Sequence, residues 1–202
     1  MTVHAVRTPK GAEAPGPTEW AAAQSARVSL SPVPLEAQPT AYIRTKWANR
    51  AYGSISEVSV AATCDDERCH VRLEWADPDA EEGEFPDAAG IFFPLDDGAP
   101  AGTIGADGHP VSLWYWRSTS SAAQVVEACG PGVFHPVATS GASSVGVFAA
   151  LSGGRWSVVF SGPVAALKRA SSLGVVVWDG TNAERAGLGA ATAEWVPVVL
   201  PN

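Results

Sequence analysis

The sequence predicts an all-β protein: an antiparallel β-sandwich with minor helix. Three observations lead there. From Val28 onward, short apolar runs are punctuated by Gly, Pro and Asp, as when short strands are joined by turns. No long stretch keeps a 3.6-residue period, so helix is confined to brief segments. One pair of neighbouring runs alternates in matched register, which marks a hairpin packed on one face.

In chain order, residues 1–25 read as an extended N-terminal arm, because Pro9, Gly11, Pro15 and Pro17 interrupt any regular element. Residues 26–202 then form one sandwich domain, a size suited to a single core. Ala21 to Ala23 and Val164 to Arg169 each suit a turn or two of helix.

The hairpin is the clearest element. Val58, Val60, Ala62 and Cys64 alternate on one strand, and Cys69, Val71, Leu73 and Trp75 on the next. Folding at Asp65-Asp66-Glu67-Arg68 opposes Cys64 with Cys69, Ala62 with Val71, Val60 with Leu73 and Val58 with Trp75. All eight side chains then share the core face, while Ser59, His70, Arg72 and Glu74 fall on the other. Directly opposed positions bring Cβ atoms to about 4.5–5.5 Å, close to disulfide reach. Two small buried thiols are the alternative. A metal site is less well supplied, since only His70 stands nearby. Cys129 has no evident partner.

Farther on, Val111-Ser112-Leu113-Trp114-Tyr115-Trp116 places Trp114 and Trp116 on one strand face and apolar residues on the other. Both faces therefore need cover. The run Val175-Val176-Val177-Trp178 suits a buried strand, and it breaks into the turn formers Asp179-Gly180 and Asn182.

Hydrophobic residues make up 46% of the chain, enough for a core, and charged residues only 17%, below the usual quarter. So low a charge suggests a surface partly covered by a partner. The net charge of −8 excludes a nucleic-acid binder of the usual basic kind. No apolar run reaches the ~20 residues of a membrane span. Met1 to Arg7 lacks a signal-peptide core. That favours the cytoplasm, with export alongside a partner or a preceding leader as alternatives.

Several segments, taken in order, resemble one family: the gamma (haem b) subunits of type II dimethyl-sulfoxide-reductase-family molybdenum enzymes, of the ethylbenzene dehydrogenase type. They are Val71 to Asp77, Phe85 to Pro94, Pro110 to Trp116, and the C-terminal stretch Val175 to Gly187. The resemblance implies a non-catalytic accessory subunit. It would dock on iron–sulfur and molybdenum subunits and hold haem b between methionine and lysine. Matching those ligand positions gives Ile104 and Gly189, neither of which carries a donor atom. The only methionine is Met1, and Lys10, Lys46 and Lys168 all lie outside the matching loop. A haem-free subunit with a structural or docking role is therefore expected. In the alternative, haem b is kept by replacement donors, with His109 and His135 the nitrogen candidates and Cys129 a possible thiolate. An ordinary loop histidine is the commoner role for each.

No catalytic constellation competes, since no nucleophile elbow, zinc-protease helix or phosphate loop is present. The acid clusters Asp65-Asp66-Glu67, Glu81-Glu82-Gly83-Glu84 and Asp96-Asp97 lack the alternating spacing of a calcium loop, so no metal site is expected from them. A carbohydrate-binding module is the reading from another class, given eight tryptophans. It requires Trp114 and Trp116 to be exposed.

Overall fold

The computed structural model describes residues 1–9, 15–80 and 83–201. Two mixed sheets pack face to face, so the sandwich is as expected. The first strands are β1 (Val3–His4), β2 (Val6–Arg7), β3 (Ala26–Ser29), β4 (Ser31–Pro32) and β5 (Glu57–Cys64). Next come β6 (Arg68–Ala76), β7 (Ala88–Pro94), β8 (Val111–Arg117), β9 (Gln124–Ala128) and β10 (Phe134–Pro136). The chain continues through β11 (Gly146–Ser152), β12 (Arg155–Pro163), β13 (Ser172–Trp178), β14 (Ala190–Ala191) and β15 (Val196–Val199). Among the described residues, the α-helices are short: α1 (Pro17–Ala22), α2 (Ala41–Trp47) and α3 (Val164–Ala170).

The smaller sheet runs β11-β12-β6-β5-β2, with β3 also on β5; the larger runs β1-β15-β13-β7-β8-β9-β10, with β14 attached to β13 and β4 to β14. The hairpin β5–β6 has the predicted register, including Val60 opposite Leu73 and Cys64 opposite Cys69. Val58, Val60, Val71, Leu73 and Trp75 are buried against the facing sheet. Its other face is less open than expected. Trp20 of α1 lies against the Arg72 guanidinium, 4.6 Å from ring to cation, and His70 and Thr63 are fully buried there.

Strict alternation on the larger sheet builds two cores. Leu173, Val175 and Val177 of β13, Ile91 and Phe93 of β7, and Trp114 and Trp116 of β8 face the smaller sheet. Val176, Trp178, Phe92, Val111 and Leu113 face outward into a second cluster, covered by loop residues such as Val33, Ala101 and Ile104. The Trp114 indole lies flat on Gly162 of the opposite sheet, where a Cβ would overlap the ring. Both faces of β8 are thus buried inside the fold. Trp114 and Trp116 are 3% and 2% exposed, so the sugar-binding reading lacks the exposed indoles it requires.

The N-terminal segment departs from an extended arm. Val3 is fully buried and pairs in parallel with Val198, while Val6 pairs in parallel with Thr63. Two short strands therefore stitch one sheet to the other, and these parallel pairs make both sheets mixed. Residues 10–14 of that segment, and Glu81 and Glu82 of the acid cluster, lie outside the described residues.

Helix forms where alanine-rich sequence permits, at α1 and α3. Sequence pattern did not reveal α2. It starts because the Thr40 hydroxyl accepts the Ile43 N–H (3.3 Å) at the N-cap, and it buries Trp47.

Candidate functional site

Three loops meet over the outer face of the larger sheet, two leaving the end where β7 passes to β8 and the third leaving the opposite end after Trp178. They are the β7–β8 loop carrying Ile104, the β9–β10 loop with Gly130-Pro131-Gly132, and the β13–β14 loop carrying Gly187 and Gly189. The first is a tight reversal. Ile104 N–H donates to Ala101 O and Gly105 N–H to Pro100 O, both at 2.9 Å. That closure forces Ile104 and Gly105 into the left-handed region, at φ 56° and 80°. The geometry suits Gly105. For a β-branched residue it costs on the order of 1–2 kcal/mol, offset here because Ile104 is fully buried in the outer core cluster.

The other loops close on it. Gly130 N–H donates to Ile104 O at 3.2 Å. A Cβ on Gly132 would stand 2.9 Å from Gly187 N, and one on Gly187 would stand 2.8 Å from Pro131 Cβ. Gln38, buried, donates from Nε2 to Gly187 O at 2.7 Å. Gly132 is required by the close approach of the Gly187 backbone and by its positive φ, and Gly187 by the Gln38 amide and the Pro131 ring packed against it. At Gly189 the neighbour is an indole: a Cβ would lie 2.7 Å from Trp178 Cδ1 and 2.8 Å from Val177 O.

Trp178 is the centre of the aromatic group beside the β13–β14 loop. Its indole N–H donates to Ala186 O at 2.9 Å, and its ring meets Tyr115 edge-on, centroids 5.4 Å apart. Phe134 completes the group at 6.3 Å. Beside them is a cavity of about 170 Å³ lined by Phe85, Ala88, Tyr115, Phe134 and Trp178 among others. A second, of about 320 Å³, lies between α2 and the β13–β14 loop and shares Phe85, Arg185 and Ala186 with the first. Burial pushes the Tyr115 phenol above its ordinary value, so it stays neutral here. Neither Phe134 nor Trp178 was singled out as a site residue from sequence. The alternation Val176, Trp178 on the outward face of β13 was the one available signal.

The replacement donors are elsewhere. The His109 side chain is half exposed, packed on Gly98, with Nδ1 3.0 Å from Asp96 Oδ1. His135 is exposed on β10, opposite Glu127. Cys129 is half-buried, and desolvation with the Glu127 charge raises its thiol above the usual value, disfavouring thiolate. None of the three lines either cavity. Ile104 and Gly189 stand in two loops that each meet the Gly130-Pro131-Gly132 loop, and the residues there do not fit a haem ligated through them.

Residues 18–132, more than half of the chain, match the model of the ethylbenzene dehydrogenase family. The chain belongs to that family. The matched span contains the loop of Ile104 and ends before Gly189. A protein of Haloferax mediterranei, provisionally described as a respiratory nitrate reductase heme subunit, is 30% identical over 178 residues, covering 81% of this chain and 63% of that protein. The chlorate reductase subunit gamma of Ideonella dechloratans is 32% identical over 145 residues, covering 63% of this chain and 58% of its own length. The chain thus spans less than two thirds of the length of either relative. Among the described residues, no helix is long and apolar enough to cross a membrane.

Proposed function

We propose that this chain is a gamma-type accessory subunit of a molybdenum oxidoreductase complex, docking on an iron–sulfur subunit and carrying no catalytic group itself. Membership of the ethylbenzene dehydrogenase family is the observation that carries this reading. The similarity to a chlorate reductase subunit gamma supports it. So does the absence of a catalytic constellation from the sequence.

Its haem content divides into two readings. Donor chemistry favours a haem-free chain with a structural or docking role, because Ile104 and Gly189 offer iron nothing and Trp178 fills the space over Gly189. The similarity to a protein described as a heme subunit favours haem b held by replaced ligands. His109 and His135 are the nitrogens for that case, and either would have to turn inward from its exposed position.

The deciding experiment is the absorption spectrum of the native chain, purified with whatever chains accompany it. The haem-free reading expects no Soret band at one haem per chain. A stoichiometric Soret band establishes the second reading, and loss of that band in His109→Ala or His135→Ala identifies the ligand. A chain that never co-purifies with other subunits would overturn the accessory-subunit proposal in both forms.

A further inference from the structure

Three carboxylates from three separate loops meet where the ends of the two sheets come together. Asp77 follows β6 of the smaller sheet; Asp87 precedes β7 and Asp179 follows β13, both of the larger. One oxygen from each lies within 4.8 Å of the others. Asp77 is 4% exposed and Asp87 2%.

Two of the three are held in place by donors. Asp87 accepts from the Trp156 indole N–H at 3.0 Å and from Gly180 N–H at 2.8 Å, one bond on each oxygen. Asp179 accepts from Asn182 N–H at 3.0 Å and from the Ser54 hydroxyl at 2.5 Å, again one on each oxygen. Every one of these oxygens keeps a free lone pair. Asp77 differs: its Oδ2 is buried and has no hydrogen-bond partner. Among the described residues, no Lys or Arg forms an ion pair with any of the three.

Burying one unpaired carboxylate is costly, and placing three together adds mutual repulsion. No spacing in the sequence marks the cluster, because Asp179 joins Asp77 and Asp87 from a strand far along the chain.

We propose that Asp77, Asp87 and Asp179 form a binding site for a divalent cation of the Ca²⁺ class, which ties the end of the smaller sheet to the larger one. Oxygen-only donors exclude the nitrogen and sulfur preference of Zn²⁺. Oxygens on Ca²⁺ sit at about 2.3–2.6 Å, so opposed ligands stand up to about 5 Å apart, which accommodates the observed spread. Mg²⁺ needs a tighter octahedron and keeps several waters, which suits a buried carboxylate cluster poorly. Two positive charges would also offset most of the local negative charge, and the orphaned Asp77 oxygen would gain a partner.

The test uses the native protein, stripped with a chelator and titrated with CaCl₂ by calorimetry and thermal unfolding. One Ca²⁺ per chain is expected, with a Tm that rises with free Ca²⁺. Asp77→Asn should weaken binding at least tenfold while folding normally, since the amide is a neutral near-isostere. Asp179→Asn is the second variant, with the same expected loss, and Asp96→Asn, in an exposed loop, should bind as the parent does. Three results overturn the proposal. They are a stripped protein whose Tm ignores Ca²⁺, unchanged affinity in both site variants, or an equal response to Mg²⁺ at equal concentration. In the first case the cluster is neutralised by a proton, and Asp77→Asn should then raise Tm with or without the metal.

Discussion

A Cβ placed on Gly189 would stand 2.7 Å from Cδ1 of the Trp178 indole. Glycine is therefore required at a position where the family resemblance implies a lysine, and the indole occupies the space that a longer side chain would cross. Gly189→Lys should destabilise the protein by about 1–3 kcal/mol through overpacking. Urea unfolding checks this, and shrinking the indole with Trp178→Leu in the same chain should recover part of the loss.

Ile104→Met behaves differently. The swap conserves volume and removes β-branching at a left-handed residue, so stability should change by less than about 1.5 kcal/mol. Unfolding curves for the two variants side by side should separate the positions clearly. A large loss in Ile104→Met would mean that the loop tolerates only the β-branched side chain.

The hairpin register makes a sharper demand. Leu73 is fully buried and opposite Val60, whereas Arg72 and Glu74 share the other face. Leu73→Ala should cost about 2–5 kcal/mol. Glu74→Ala, which removes only a partly exposed pair with Arg72 at 3.4 Å, should cost less than about 1 kcal/mol. Chemical denaturation of both variants measures the contrast.

Cys64 and Cys69 are buried, directly opposed and free. The hydrogen bond with Cys64, and then burial, push the Cys69 thiol well above its usual value, so little thiolate exists at neutral pH. A thiol reagent applied to the native protein should modify Cys129 at most. All three cysteines should react once the chain is unfolded in denaturant. Rapid native labelling at Cys69 would contradict the buried, opposed arrangement.

His70 supplies a pH dependence. It is fully buried, with Nδ1 2.7 Å from Ser161 Oγ, and desolvation, then the Arg68 charge, hold its pKa below the ordinary value against an opposing pull from Asp65. The unfolded chain binds the proton more readily than the folded one. The stabilising contribution is therefore complete above the unfolded value near 6.5 and is lost as pH falls below it towards the folded pKa. His70→Gln should flatten the fall in Tm between about pH 6.5 and 5. An unchanged slope would assign the acid sensitivity to other groups.

How much of this was legible in the sequence depends on the range of the interaction. Alternation over eight or nine residues is local, so β5 and β6, their register and the buried β13 strand could be read from spacing, and α3 from its alanine-rich composition, whereas α1 starts at Pro17, before the Ala21 to Ala23 segment expected to be helical. The loops of Ile104 and Gly189 were legible only through resemblance, because no periodic pattern marks a turn whose role is to meet another turn. Hydrogen bonding and hydrophobic alternation, which act between neighbours in sequence, thus determined the fold class and the hairpin. Only the tertiary structure decided that Val3 and Val6 join different sheets, that Gly130-Pro131-Gly132 closes the gap between the two other loops, and that Trp178 covers Gly189. The same holds for His70, buried on a face that looked open, and for the meeting of Asp77, Asp87 and Asp179. Each of these depends on how the strands align and which loops they bring together, and that follows from burial summed over the whole chain.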